Sequence, residues 1–221
     1  MYSDVDLNNI TDGKLYKSSD LVKISCNGCI GCHECCCTVA DTILLDPLDI
    51  YNLSKALKKN FAEMMENEIE IRLVDNIVIP NIMMQEGSSA CGMLSKDGRC
   101  TIHPLRPGFC RLFPLGRLYD DSGDFNYIIQ VHECSYPNKS DVKVQDWLGI
   151  KNLQKYEQFN KDWHRVIKNL TDYLAEYDNE TVSKKLSWLP LRLFFEPPYD
   201  TTADFYEQFY ARLEIMEQRL S

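Results

Sequence analysis

The clearest pattern of apolar and polar positions lies in the last third of the chain. Apolar side chains recur every three or four residues there and predict a long amphipathic helix over 150–177. Pro190 breaks the shorter helix that follows, and a second apolar stripe predicts a terminal helix over 205–220. We expect these stripes to pack against the preceding part of the chain, as such stripes normally do.

Two alternating patterns in the middle of the chain predict β-hairpins. Residues 69–74 alternate apolar and polar side chains, meet the turn pair Asp75-Asn76, and resume as an apolar strand at 77–79. The segments 115–119 and 125–131 flank an acidic turn that contains a glycine. Both hairpins are short, which is typical of a mixed α+β protein.

Local signals also predict two helices before the first hairpin. Asp46 can serve as an N-cap, Pro47 suits the first helical position, and another acid follows in the first turn. Residues 61–68 are interpreted as a second, short helix. We interpret residues 1–25 as an arm and residues 91–110 as a loop, because neither segment has a clear periodicity.

Cysteine content changes this picture. The 221 residues include ten cysteines, all of them between Cys26 and Cys134. A disulfide framework requires an oxidising compartment, but the first ten residues are polar and acidic, unlike a secretory signal. No apolar run reaches the roughly eighteen residues of a membrane-spanning helix. We therefore expect a cytoplasmic protein whose clustered cysteines bind metal or take part in redox chemistry.

The distribution of the cysteines suggests two parts. Residues 1–140 are predicted to form a cysteine-cluster metal-binding domain, and 141–221 a helical C-terminal extension that packs on it. The expected fold is α+β, with a loop-rich core, short β-hairpins and a long C-terminal amphipathic helix. The net charge of -9 argues against a nucleic-acid partner, which requires a basic surface. We expect a protein substrate or partner, and neither nucleic acid nor a membrane.

The first cysteines follow a repeated spacing. The C-x-x-C step occurs three times and ends in a triplet, at Cys26, Cys29, Cys32, Cys35, Cys36 and Cys37. Two cysteines separated by two residues can direct both sulfurs to one point, with backbone N–H groups left to bond the thiolates. A polynuclear cluster, or two neighbouring metal sites, uses such a triplet more naturally than one zinc ion does. Whether Cys26 and Cys37 bind anything stays open.

A second set of cysteines is more widely spaced, and arginines lie among them. The segment 99–117 contains four arginines and His103, with no acidic residue. This positive island could balance a thiolate–metal site, capture a carboxylate or phosphate, or simply consist of surface arginines. We favour Arg106 and Arg111 as cofactor-binding residues, because each lies close to a cysteine or to a rigid turn.

These residues together resemble a known family, the YkgJ-type CxxCxxCC cysteine-cluster domains that chelate zinc or iron. Residues 29–36 match the naming motif, and residues 91–114 resemble the family's second half, with His103 at a position where tyrosine is common. Cys26 and Cys37 are additions to the pattern. The resemblance implies eight metal ligands, which are Cys29, Cys32, Cys35, Cys36, Cys91, Cys100, Cys110 and Cys134.

The resemblance also implies possible chemistry. The family includes flagellin lysine N-methylases, which are associated with an iron–sulfur cluster and S-adenosylmethionine. If the chain is an enzyme, the resemblance implies an S-adenosylmethionine-dependent protein lysine N-methyltransferase, with unknown catalytic residues and no Rossmann-type glycine fingerprint. Sulfur-only ligands and the cysteine triplet favour a [4Fe-4S] cluster, with zinc as the alternative cofactor. A non-catalytic zinc-stabilised binding module and a thiol-based metal or redox sensor remain the other hypotheses.

Overall fold

The computed structural model describes residues 7–26, 32–38, 43–176 and 179–220. These residues form a mixed α+β fold with three two-stranded antiparallel sheets, which confirms the predicted fold class. The strands are β1 Leu21–Ser25, β2 Ile69–Val74, β3 Ile77–Ile82, β4 Leu115–Tyr119, β5 Phe125–Ile129 and β6 Ser140–Lys143. The α-helices are α1 Leu7–Ile10, α2 Cys35–Thr38, α3 Pro47–Leu57, α4 Phe61–Met64, α5 Gly108–Leu112, α6 Val144–Leu148, α7 Leu153–Glu176, α8 Glu180–Ser187 and α9 Phe205–Leu220.

Both predicted hairpins are confirmed. Strand β2 pairs with β3 and strand β4 with β5, each pair antiparallel and in continuous register. Asp75 and Asn76 have φ angles of 48° and 64°. A two-residue hairpin turn of type I′ requires positive φ at both central positions, and Asp and Asn tolerate it better than most residues do. The local turn chemistry therefore fixes the register of this hairpin.

The predicted start of α3 is confirmed as well. The Asp46 side chain accepts a hydrogen bond from the Asp49 N–H, and the Asp49 side chain accepts one from the Asp46 N–H. This reciprocal capping box satisfies two N–H groups that a helix end leaves without partners. Lys58 ends the helix in a left-handed conformation, with a φ of 57°.

Three of the local predictions need correction. The interpretation of residues 1–25 as an arm is wrong for the described residues, because β1 pairs with β6 and Tyr16 exchanges two backbone hydrogen bonds with Tyr127 at the edge of β5. The region 91–110 is not all loop, since a 3₁₀ turn covers His103–Leu105 and α5 begins at Gly108. The helix predicted over 61–68 already ends at Met64.

The C-terminal helices share a core with the central hairpin. Buried residues of α3, β2, β3, α7 and α9 form one apolar cluster, together with a π-helical turn at Leu191–Phe195. Aromatic rings fill its centre, where Phe159, Phe194 and Phe209 are fully buried. Residues from both sides of position 140 thus contribute to this core, and the division into 1–140 and 141–221 remains a prediction.

A second, smaller apolar cluster joins β1, β4, β5 and α6. It packs the described N-terminal residues and β6 onto the second hairpin, and it includes Leu112, the last residue of α5. Of the helices within the described ranges, none combines the length and the apolar character that a bilayer crossing requires.

We expect the substitution Phe209→Ala to lower the free energy of unfolding by about 3–5 kcal/mol, because it opens a cavity among buried rings. The ring centroid of Phe209 lies 4.8 Å from that of Phe159 and 5.4 Å from that of Phe194. Chemical denaturation followed by circular dichroism measures the change. Ile215→Ala on the same helix is the control, because Ile215 is 44% exposed and its loss should change stability by only about 0.5 kcal/mol. Equal effects of the two substitutions would contradict the assigned core.

Candidate metal centre

One cavity of about 540 Å³ collects six cysteines from separate parts of the chain. They are Cys32, Cys35, Cys36, Cys91, Cys100 and Cys110. The first three lie in or just before α2, the next two lie in the compact loop that follows β3, and the last lies on α5. The two halves of the cysteine pattern therefore face a common space, although more than fifty residues separate them along the chain.

Backbone hydrogen bonds hold the two halves together. The Cys91 N–H donates to the Cys36 carbonyl oxygen at 2.7 Å, which docks α2 onto the loop. The loop itself is tight, because the Gly92 N–H donates to the Met83 carbonyl oxygen at 2.9 Å. A Cβ atom at position 92 would lie only 2.6 Å from that same oxygen, so the close approach requires glycine.

Backbone N–H groups also point at two of the sulfurs. The Met93 N–H donates to Cys91 Sγ at 3.4 Å, and the Ile102 N–H bonds the thiol of Cys100 in the same i to i+2 relation. Such hydrogen bonds favour the thiolate over the thiol. We expect backbone N–H groups to bond the thiolates of a cysteine metal site in this way. The two hydrogen bonds make both sulfurs better suited to act as anionic ligands.

Burial has the opposite effect on the thiols. Burial is the main cause of the raised pKa values of Cys91, Cys100 and Cys110, and the shift is largest for Cys110. The neighbouring thiols and, for Cys110, the carboxylate of Asp49 add to it. The pKa of Cys35 is raised chiefly by a hydrogen bond with the Cys36 side chain. These four thiols are therefore protonated at neutral pH unless a metal displaces the protons.

A second, much smaller cavity of about 20 Å³ adjoins the first. Cys26 and Cys134 line it, and Cys32 and Cys35 line both cavities. The Glu34 carboxylate accepts a hydrogen bond from the Ser135 hydroxyl and ties the two sides together. Cys26 thus lies beside three of the predicted ligands.

The remaining cysteines are placed differently. Cys37 is on α2 but lines neither cavity, and Cys29 lies outside the described residues. None of the nine cysteines in the described ranges forms a disulfide with another of them. In the same ranges, no three histidine, cysteine or acidic side chains are arranged so that they could hold a metal ion as they stand.

The two favoured arginines have different surroundings. Arg106 lines the larger cavity together with Arg99, and its Nη1 lies 3.3 Å from both ring nitrogens of His103. Burial and the nearby arginines lower the pKa of His103, which favours a neutral imidazole. Arg111 is not in the cavity wall. Its guanidinium donates to the carbonyl oxygens of Pro104 at 2.9 Å and Leu148 at 3.2 Å, so that it braces α5 against α6.

Fewer histidines than cysteines line the larger cavity. His103 and His33 line the larger cavity, but the ring of His164 stacks on Tyr119 at a centroid distance of 3.6 Å. His132 follows β5 with a φ of 75°. The thiols therefore dominate the donor set on the described walls.

One contact near the cavity has no signal in the sequence. The Gly108 N–H, at the start of α5, donates to Asp49 Oδ1 at 2.7 Å. The sequence identifies Asp49 only as part of a helix cap, since nothing in the spacing of residues 49 and 108 predicts that they meet. Arg117 belongs to the positive island and Tyr156 to the stripe of α7, but nothing in the sequence predicts that they meet beside this contact.

The chemistry of the donors defines the class of site. Thiolates are soft ligands that suit zinc and iron–sulfur clusters, whereas magnesium and calcium prefer oxygen. The fold presents many thiols, few oxygen donors and backbone N–H groups aimed at sulfur. The residues on the cavity walls therefore fit a cysteine-ligated metal centre.

Comparison with known proteins gives the family. Residues 28–135 match the family model CxxCxxCC, which is described as "Putative zinc- or iron-chelating domain". The match agrees with the resemblance that the cysteine motifs indicate. The match includes every predicted ligand, begins after Cys26 and ends before β6. Neither a curated protein nor a solved structure matches the chain significantly.

We expect the affinity for Zn²⁺ to rise steeply with pH. Burial raises the pKa of the cavity thiols, so each thiol that binds as a thiolate must release a proton. Between about pH 6.5 and 7.5 the association constant should increase roughly tenfold for every thiol that is deprotonated on binding. Competition with a chromophoric chelator measures the slope. An affinity that does not change over this range would contradict protonated ligands.

Proposed function

We propose that this protein holds an iron–sulfur cluster, with [4Fe-4S] favoured, and that cysteines of the larger cavity ligate it. The observation that carries the proposal is the convergence of six cysteines on one cavity of about 540 Å³. A single zinc ion takes four ligands, whereas a cluster spreads its ligands over a larger volume. Cys29, which is outside the described residues, remains a candidate ligand by its place in the family motif.

The surroundings of the thiols support this proposal. Apolar side chains such as Met93, Ile102 and Phe113 line the same cavity and shield it from water. Hydrogen bonds from backbone N–H groups to sulfur, and the extent of solvent exposure, are the features by which proteins tune cluster potentials. The residues of this chain would therefore hold the cluster, bond its sulfurs and exclude water from it. When bound, the cluster supplies electron transfer or a Lewis-acidic iron.

Zinc is the second candidate, because the smaller cavity favours it. About 20 Å³ is room for a single ion, and four cysteines lie around this space. Four thiolates are the usual shell of a structural zinc site. In that alternative, zinc stabilises a non-catalytic binding module or the thiols act as a metal or redox sensor, and Cys26 is a ligand of this chain beyond the family motif.

Purification without oxygen should give a brown protein with a broad absorption band near about 400 nm, as iron–sulfur clusters show. We expect Cys110→Ser to lose most of this absorption, because Cys110 lines the larger cavity. Cys37→Ser is the matched control and should keep it, because Cys37 lines neither cavity. Iron, sulfide and zinc contents are measured alongside. A colourless protein with stoichiometric zinc would refute the cluster and support the zinc alternative.

Methyl transfer to a protein lysine is the more specific part of the proposal. It is supported by the resemblance to a family that includes flagellin lysine N-methylases, and by the two arginines on the wall of the larger cavity. S-adenosylmethionine supplies a methyl group when bound. Arg99 and Arg106 would bind its carboxylate, while Arg111 would support the wall from behind by bracing α5.

We also propose a biological setting for this site. Reduced thiols are maintained in the cytoplasm, which is therefore the proposed compartment. The proposed partner is a protein, because a net charge of -9 disfavours nucleic acid. Residues 141–221 are proposed to act as a helical extension that supports the domain formed by residues 1–140.

Arg106→Ala should weaken the binding of S-adenosylmethionine about tenfold, because a charge-assisted hydrogen bond to a carboxylate is lost. Equilibrium dialysis with the metal-loaded protein measures the dissociation constant. Arg72→Ala is the control, since Arg72 pairs with Glu70 on the hairpin and does not line the cavity. If wild-type protein retains no S-adenosylmethionine, the methyl-transfer proposal fails, whereas the metal centre is unaffected.

A further inference from the structure

A buried hydrogen bond connects the helix cap of α3 to the helix that carries Cys110. The Gly108 N–H donates to Asp49 Oδ1 at 2.7 Å, and Asp49 is only 2% exposed. Gly108 is the first residue of α5, a helix of five residues, and its N-cap residue Pro107 offers no side-chain hydrogen bond. Asp49 therefore fixes the start of a short helix that lacks a cap of its own.

The Asp49 carboxylate is itself held on both sides. Its Oδ2 accepts from the Asp46 N–H at 3.1 Å, while the Asp49 N–H donates to Asp46 Oδ1 at 2.8 Å. One oxygen of Asp49 thus serves α3 and the other serves α5. Because both oxygens of this carboxyl group accept a hydrogen bond, one side chain joins two backbone segments rigidly.

A second wall confines the start of α5 from the opposite side. The Tyr156 hydroxyl, from α7, lies 2.9 Å from the position that a Cβ atom at residue 108 would occupy. Arg117 Nη2 donates to this hydroxyl at 2.7 Å. The first residue of α5 is therefore enclosed between a carboxylate and a phenol, and only glycine fits without displacing one of them.

Burial disfavours the charged forms of Asp46 and Asp49. Burial is the first cause that raises the pKa of Asp46, to about 6, and that raises the pKa of Asp49, whereas Arg117 opposes both shifts. Pairs of buried charges seldom add net stability over apolar residues of the same size. Their presence beside the larger cavity points instead to a geometric requirement, namely that α5 has one fixed position.

We propose that Asp49 is a positioning residue of the metal centre, which through Gly108 sets the place of Cys110 Sγ in the larger cavity. This inference rests on the proposed function, because it requires Cys110 to be a ligand. Asp49 touches no metal in this proposal. It acts through two backbone hydrogen bonds, and Arg117 with Tyr156 provides the opposing support.

Titration of the metal-free full-length protein with Co²⁺, under reducing conditions without oxygen, tests the proposal. The thiolate-to-cobalt charge-transfer band reports how many thiolates bind, and the visible bands report their geometry. We expect Asp49→Ala to weaken Co²⁺ binding about 10–100-fold, as loss of residues that orient metal ligands does elsewhere. The charge-transfer intensity should fall by the contribution of one thiolate, which a general loss of stability would not produce.

Glu63→Ala is the matched control for the loss of a helix cap. Glu63 occupies the same position in the capping box of α4, where it accepts from the Asn60 N–H at 2.7 Å, and it lines neither cavity. It should leave the Co²⁺ affinity and spectrum unchanged. Gly108→Ala gives a second route, because its Cβ displaces α5 from Tyr156 while the capping box of α3 stays intact. We expect the same spectral change from it.

The possible outcomes separate this inference from the proposed function. If wild-type protein binds neither Co²⁺ nor iron, the proposed function fails and the inference fails with it. If wild-type protein binds Co²⁺ and both Asp49→Ala and Gly108→Ala retain its affinity and spectrum, the inference alone is overturned. An equal loss in Glu63→Ala would also overturn it, because the effect would then be one of stability.

Discussion

The hydrogen bond from the Cys91 N–H to the Cys36 carbonyl oxygen is the contact on which the site depends. It joins two groups of cysteines that the chain keeps far apart, and no disulfide among the described cysteines shares that task. Backbone hydrogen bonds are strong where water is excluded, and unlike a disulfide they leave the thiols free to react. All the sulfurs around the cavity therefore stay available for other chemistry.

The half-buried Asp46 and the buried Asp49 join two further segments near the cavity. A capping box needs no more than a solvent-exposed pair, as Asn60 and Glu63 show on α4. In α3 the Asp49 side chain of the same motif is buried near Arg117, and one of its oxygens accepts a hydrogen bond from Gly108 at the start of α5. The capping residue Asp49 therefore also bonds a distant segment of the chain. Burying this carboxyl group carries a desolvation cost.

Local patterns predicted most of the elements but few of their partners. The hairpin turn at Asp75-Asn76, the Asp46 cap and the stripe of α7 follow from interactions within a few residues, so the sequence was sufficient for them. The pairing of β1 with β6 was not predictable, because strands so distant share no local signal. Arg106 and Arg111 have similar neighbours in the sequence, so local patterns could not distinguish them. In the structure Arg106 lines the cavity, whereas Arg111 donates hydrogen bonds to carbonyl oxygens.

By itself, the sequence determined the kind of donor chemistry: clustered cysteines with metal-ligand spacing, which match a family model over residues 28–135. Residue type fixes these properties, because a thiol remains a soft ligand wherever it lies. Only the tertiary structure decided which thiols share a space, that Cys26 lies beside Cys134, and that Asp49 holds the helix of Cys110. Those facts depend on contacts between distant segments, which the packing of the whole chain brings together.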